Sequence, residues 1–448
     1  MNKLSSKHRK LAYVIAIIIL LIPVIWLGMP STGEEGSGGE LAQLRVKYEL
    51  GESTLGDVDP SSASMNFVLL GLRGIATNLL WMDAKDYQER KQWAKLRSTV
   101  DSIILLQPHY MKVWDFQGWN LAYNVSAEWD AVEDRYFWVK EGIKFLNEGV
   151  SRNERYPELD WKIGNLHGQK VGRSDEWKQF RRFYKVDPDT DRYEGGPDPE
   201  INPERLDNYQ VAKQKYLIAN EKELKHKQHL QMRMLFRAAP WHAQFDFANA
   251  MQREGKFGPE RTAAWAQGKK EWTTIFGREE FITPKGAILL EWSNNEKSLE
   301  EMIALAKRDN VTVEDKKHWA SRYQDTSNYR FWRTRASSES EQQTIDAHEA
   351  IYDGEVALTE GDFVTAEKEL EKGMKLYSSV LEKYPSLMAE DLAIEEGLKA
   401  VLLWRYLYDL KGQPAPEIPY YYLKQLWMKE QGRIPGLQED LRRDFGIQ

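Results

Sequence analysis

The sequence predicts an all-α protein: an α-solenoid of antiparallel helix pairs carried on one N-terminal transmembrane helix. Three observations predict it. One uninterrupted apolar run, Leu11 to Gly28 (LAYVIAIIILLIPVIWLG), opens a chain that is otherwise strongly polar. Downstream, apolar residues recur three and four positions apart, the period of a helix that buries one face. Turns and prolines interrupt these stretches at a spacing of about forty to fifty residues, the period of stacked helix pairs.

The apolar run is the first element. As a helix its length is about 27 Å, close to the roughly 30 Å of a hydrocarbon core. Lys3, Lys7, Arg9 and Lys10 precede it, and Glu34, Glu35 and Glu40 follow. That basic excess retains the N-terminus in the cytoplasm and sends the rest of the chain to the far side. A cleaved signal peptide has a shorter apolar core and a small-x-small cleavage site. Here the run ends in Trp26-Leu27-Gly28-Met29-Pro30, so the segment reads as an uncleaved anchor, with residues 1–30 as basic tip and anchor. Residues 31–62 begin STGEEGSGG and read as a flexible linker.

Residues 63–172 form an N-terminal helical-repeat region. Phe67 to Met82 is apolar nearly all round and too short for a second span; it reads as a buried first helix, with a membrane-lying or re-entrant segment as the alternative. Trp93, Leu96, Val100, Ile103 and Ile104 make the next stripe, closed by Pro108. Trp114, Gly118, Leu121 and Ala122 follow, then Trp138, Ile143, Leu146 and Val150, closed at Pro157. Residues 173–203, charged and rich in Pro and Gly, read as an acidic loop insertion. A middle helical region covers 204–330, opening with a long charged helix that ends before Pro240. Turns fall at Gly277 and Pro284-Lys285-Gly286. In 331–412 the clearest repeat unit is Thr344 to Tyr384, whose second helix aligns Phe363, Ala366, Leu370, Gly373, Tyr377, Val380 and Tyr384. Residues 413–448 are a C-terminal tail.

Composition bounds the function. The 448 residues carry 62 basic and 69 acidic side chains, a net charge of −7, mixed along the chain. That is not the footprint of a nucleic-acid binder. There is no cysteine, which excludes disulfides, thiolate metal sites and a Cys nucleophile. The 17 tryptophans suit helix–helix packing more than a ligand face, because each buries so much area.

Gly354, Gly361, Asp362, Phe363 and Ala366 stand in the order G-x6-G-D-F-x2-A, which resembles a tetratricopeptide repeat. Trp114 and Gly118 echo the repeat's W-x3-G opening. The resemblance implies that small residues at these places let two antiparallel helices approach closely. The stretches LLGLRGIATNLLW…LQPHYMKVWDFQGWNLAYNVS and YRFWRTRA…GDFVTAEKELEKGM are similar to a planctomycete-type family of membrane-anchored bacterial proteins with no established chemistry.

Candidate ligand sets are few. Asp187, Asp189 and Asp191 alternate as oxygen ligands do in calcium loops, but Arg192 occupies the place of the turn glycine and Asp198 that of the bidentate Glu. Glu223, His226 and His229 fall on one helix face, crowded by Lys222, Lys225 and Lys227, with His242 needed as a distant partner. Both sets read better as solvated surface, and no cofactor is implied. No nucleophile-elbow, P-loop or dinucleotide pattern is present in the sequence. The expectation is therefore a membrane-tethered interaction scaffold in the cell envelope, with its body outside the cytoplasmic membrane. It would bind a peptide or helix of another envelope protein through exposed aromatics among Trp114, Trp119, Tyr123, Trp129 and Trp138. The alternative is an envelope enzyme, either a metal-assisted hydrolase or a carbohydrate-active protein.

Overall fold

The computed structural model describes residues 6–28, 39, 40, 43, 73–226, 233–292 and 296–444. It is an all-α structure whose only sheet, among the described residues, is one two-stranded hairpin. The expected linker, 31–62, lies almost wholly outside the described residues, as do 67–72 and His229. The chain divides into two compact units, Met1–Leu166 and His167–Gln448.

In the first unit, α1 (Ser6–Gly28) covers the apolar run, and its described side chains are largely exposed, among them Leu11, Ile15, Ile19, Ile22 and Trp26. Among the described residues, no helix is long and apolar enough to cross a membrane. Ala12, Leu21, Val24 and Ile25 of the run have side chains outside that set. The body begins with α2 (Arg73–Glu89) packed on α3 (Trp93–Leu106). Next, α4 (Met111–Trp119) passes into a wider π-helical segment, Asn120–Val125, and packs on α5 (Val132–Arg152). Pro157 follows as the first residue of α6 (Pro157–Asn165), a position where its missing N–H is harmless.

Glycines set the α4/α5 crossing. A Cβ at Gly118 would stand 2.5 Å from Leu146 Cγ, one at Gly142 2.7 Å from the Gly118 carbonyl oxygen, and one at Gly149 2.9 Å from the Trp114 ring. The three contacts run in opposite directions along the two helices, so the pair is antiparallel. Trp114 is fully buried there, and its indole N–H donates to the Pro108 carbonyl at 2.9 Å.

The second unit contains α7 (Trp177–Lys185), α8 (Asn208–His226), α9 (Arg233–Arg253), α10 (Pro259–Thr274), α11 (Glu296–Arg308), α12 (Val313–Thr326), α13 (Tyr329–Glu339), α14 (Gln342–Glu360), α15 (Phe363–Lys383), α16 (Asp391–Leu410), α17 (Tyr421–Lys429) and α18 (Ile434–Asp444). Pairs adjacent in sequence pack together: α8 with α9, α9 with α10, α14 with α15, and α15 with α16. In the α14/α15 pair, Gly361 takes φ +80° at the end of α14, a conformation that favours glycine. Asp362 then caps α15 by accepting from the Thr365 N–H at 3.1 Å. A Cβ at Gly354 would lie 2.7 Å from Leu370 Cγ, and one at Gly373 2.9 Å from the Ile351 backbone nitrogen.

The structure departs from the sequence reading in four places here. The stretch 173–203 is not all loop: Phe180, Phe183 and Tyr184 sit at helical spacing and are buried on α7. Arginines between them mask the stripe in sequence. Pro240 does not end a helix but lies inside α9, flanked by buried Ala239 and Trp241. Tertiary burial there outweighs the roughly 3 kcal/mol that an interior proline costs. The turn at Pro284-Lys285-Gly286 joins two short antiparallel strands, β1 (Phe281–Thr283) and β2 (Gly286–Ile288), with Phe281 opposite Ile288. The 413–448 region also carries α17, which buries Leu423 and Leu426.

Tryptophan dominates this unit's core. Trp265, Trp272 and Trp404 are fully buried, and Phe245 stacks on Trp332 with centroids 4.9 Å apart and planes 5° from parallel. Tyr329 stacks on Trp272 at 5.2 Å.

Candidate functional site

The α4/α5 hairpin holds the sequence-predicted aromatics. In the π-helical segment the backbone pairs i with i+5, and such widened turns occur frequently at functional sites. Asn120 is buried in it and accepts from Asn124 Nδ2 at 2.9 Å and Gln88 Nε2 at 3.4 Å. This pinning fixes the flanking turn, where Trp119 stacks on Tyr123 at 5.4 Å with planes 21° apart. Trp119 keeps 45% of its surface exposed. At the tip of the same hairpin Trp129, 42% exposed, lies 6.3 Å from Trp138, and Phe137, 44% exposed, meets Trp138 edge-on at 5.4 Å. The tip is braced by Arg135 Nε donating to the Trp129 carbonyl at 2.6 Å and by a Lys91–Glu128 ion pair at 2.7 Å. Burial pushes the Tyr123 hydroxyl pKa up, so it stays a neutral donor. The hairpin thus presents rigid aromatic faces to solvent, the side chains that most often anchor protein interfaces.

The predicted ligand sets sit elsewhere. Asp187 is buried and accepts the Asp189 N–H at 3.0 Å, and Asp189 accepts the Arg192 N–H at 3.2 Å, while Asp191 is exposed. Two of the three carboxylates therefore serve as turn and cap acceptors. Glu223 is taken by Arg233 at 2.8 Å and Arg237 at 3.8 Å. His242 lies between Trp272 and Trp332, its ring edge-on to both, where burial and the Arg173 charge lower its pKa to about 4.

A cluster that sequence reasoning missed joins five helices of the second unit. Among the described residues, Glu339, His348 and Glu396 bring ligand-type atoms within 4.8 Å of one another. Arg261 donates to Glu339 at 2.5 Å, His348 Nε2 lies 3.2 Å from it, and Arg335 donates to Glu396 at 2.6 Å. The Tyr377 hydroxyl donates to the Ala393 carbonyl at 2.9 Å and lies 3.4 Å from Glu396. Burial works to raise the Glu339 pKa, but His348, Arg261 and Arg335 outweigh it and hold the carboxyl well below its ordinary range. Two buried guanidinium charges already balance the two carboxylates, and a divalent cation would have to sit against them. The cluster is also donor-rich, since Nε and Nη1 of buried Arg261 have no acceptor among the described residues. As built, its charges are paired within the protein, as in an ion-pair core. Arg335 and Glu339, four apart on α13, are its only local signal; Arg261 is 78 residues from Glu339.

No protein-family profile matches the chain, and no characterised protein matches it in sequence.

Proposed function

We propose that the chain is a membrane-tethered interaction scaffold of the cell envelope. In this reading Leu11–Gly28 is a single-pass anchor with its N-terminus in the cytoplasm, and the body stands outside the cytoplasmic membrane. The helix pairs continue as a tetratricopeptide-like solenoid of the planctomycete-type family, and the partner is a peptide or helix of another envelope protein. The observation that carries it is the α4/α5 hairpin, on which Trp119, Trp129 and Phe137 each leave more than two fifths of their surface open while neighbouring rings hold them in place. A folded chain loses free energy by exposing such large rigid rings, and partner association recovers it. A tether raises the effective concentration of the body near other membrane proteins, so a modest affinity suffices.

The test is quantitative affinity purification from crosslinked, detergent-solubilised membranes. Full-length chain is compared with a form lacking residues 1–33 and exported by an unrelated signal peptide, and with a Trp119→Ala/Trp129→Ala variant. Reproducible partners that fall severalfold in both altered forms support the scaffold. Identical recovery in all three forms, or no partner above background, refutes it.

A further inference from the structure

Helix α2 is built inside out. Its buried positions are small, Thr77 and Ala84, while Ile75, Leu79 and Met82 are 59%, 59% and 68% exposed. At 3.6 residues per turn the three exposed side chains fall on one stripe, about half a turn away from Thr77 and Ala84. A helix at a water-facing surface normally has the reverse arrangement. The stripe is graded along the axis. It begins at the end of α2 that follows the apolar sequence Phe67-Val68-Leu69-Leu70-Gly71-Leu72, and one turn past Met82 it gives way to the Asp86–Arg90 ion pair at 2.9 Å. Trp81 lies off the stripe, half-buried with its ring 5.9 Å from Tyr110 and 5.0 Å from Phe116, and the Lys85 ammonium stands 4.2 Å from the Phe116 ring centre.

We propose that this stripe rests on the lipid bilayer as an interfacial contact beside the anchor. The inference rests on the reading of Leu11–Gly28 as that anchor. Between Gly28 and Arg73 the sequence has 44 residues, which tether α2 to the anchor. The tether keeps the bilayer permanently within reach of the stripe. Eight residues of helix, seven rises of about 1.5 Å, cover only about 10 Å, so the contact lies along the membrane and does not cross it. Large apolar side chains exposed on one face suit a helix resting at the headgroup boundary. A second copy of the chain is the weaker occupant. Three side chains offer a few hundred Å², well below the roughly 1,200 Å² that a stable protein interface buries.

The absence of cysteine makes the test direct. Single variants Ile18→Cys, Leu79→Cys, Met82→Cys and Val364→Cys of the full chain are labelled with an environment-sensitive fluorophore and reconstituted into anionic phosphatidylcholine/phosphatidylglycerol vesicles. Position 364, 79% exposed on α15, is the aqueous reference. The proposal expects labels at 79 and 82 to be quenched by shallow spin-labelled lipid at least twofold more than at 364, with 18 quenched by deep spin-labelled lipid. Lipid quenching at 18 but only aqueous iodide quenching at 79 and 82 overturns the inference and leaves the anchor standing. Labels at 79 and 82 shielded from both reagents mean that protein covers the stripe, which also overturns it. No lipid quenching at 18 means that the anchor reading itself has failed.

Discussion

Replacing Gly142 by alanine tests the packing argument most sharply, because two opposing effects can be weighed. Alanine in the interior of α5 gains about 1 kcal/mol of helix propensity over glycine. The added Cβ, however, would stand 2.7 Å from the Gly118 carbonyl oxygen, 3.0 Å from Ala122 Cβ and 3.2 Å from the Ala122 nitrogen. Two of those are backbone atoms of the partner helix and cannot rotate away. Overpacking of this kind costs about 1–3 kcal/mol, towards the upper end where backbone must shift. The net expectation is a loss of about 1–2 kcal/mol, or roughly 5–30-fold in the equilibrium between closed and open hairpin. Hydrogen exchange followed by mass spectrometry reads it as faster exchange of peptides from 111–125 and 132–152, with the second unit unchanged. Gly74→Ala is the control: nothing lies within 4 Å of its Cβ position, so the same change should be neutral or slightly stabilising. Equal protection in wild type and Gly142→Ala would refute the claim that glycine sets this crossing.

Other outcomes follow from the same geometry. Glu339→Gln leaves Arg261 and Arg335 buried without their shared carboxylate and should cost about 3–5 kcal/mol, read as a lower thermal midpoint. Asp325→Asn, which breaks an exposed pair with Arg330, should change stability by no more than about 1 kcal/mol. Asp362→Ala removes the cap of α15 and should cost about 1 kcal/mol in the same melt.

Acid should destabilise the second unit in two stages, measured as denaturation midpoint against pH. His242 and His167 are lowered from 6.5 to about 4 and about 3, by burial and then by the Arg173 and Lys215 charges respectively. The unfolded chain binds those protons first, so stability is full above about pH 6.5 and falls as pH drops towards the folded values. His242→Phe should flatten part of the slope between pH 6.5 and 4. Burial works to raise Glu254, but Arg181, Lys256 and Lys185 outweigh it and hold the carboxyl at about 2. Its contribution is present above about pH 4.5 and is lost as pH falls towards 2.

The helices that sequence made legible are those with both a periodic face and strong punctuation. Gly361-Asp362 and Pro385 delimit α15, and its apolar stripe has no interruption, so its limits could be read within a residue or so. Where charge is interleaved with the stripe, as Arg181 and Arg182 are on α7, the helix was hidden. Pro240 misled because local cost was weighed without the burial that offsets it. Trp119 and Tyr123 meet because they are four residues apart, a spacing that α-helical and π-helical turns both bring together. The ion-pair core as a whole has no such signal, because its members come from α10, α13, α14, α15 and α16, and pairing over such separations leaves no periodic trace.

The central claim, that the aromatic hairpin is a partner surface, is met most directly by site-specific photo-crosslinking in intact cells. A benzophenone amino acid is placed at Trp119 or Trp129 of the full chain, and at exposed Val364 as the comparison. The account predicts discrete protein adducts from 119 and 129 and none of the same mass from 364. Adducts that are absent at all three positions, or identical at all three, contradict it.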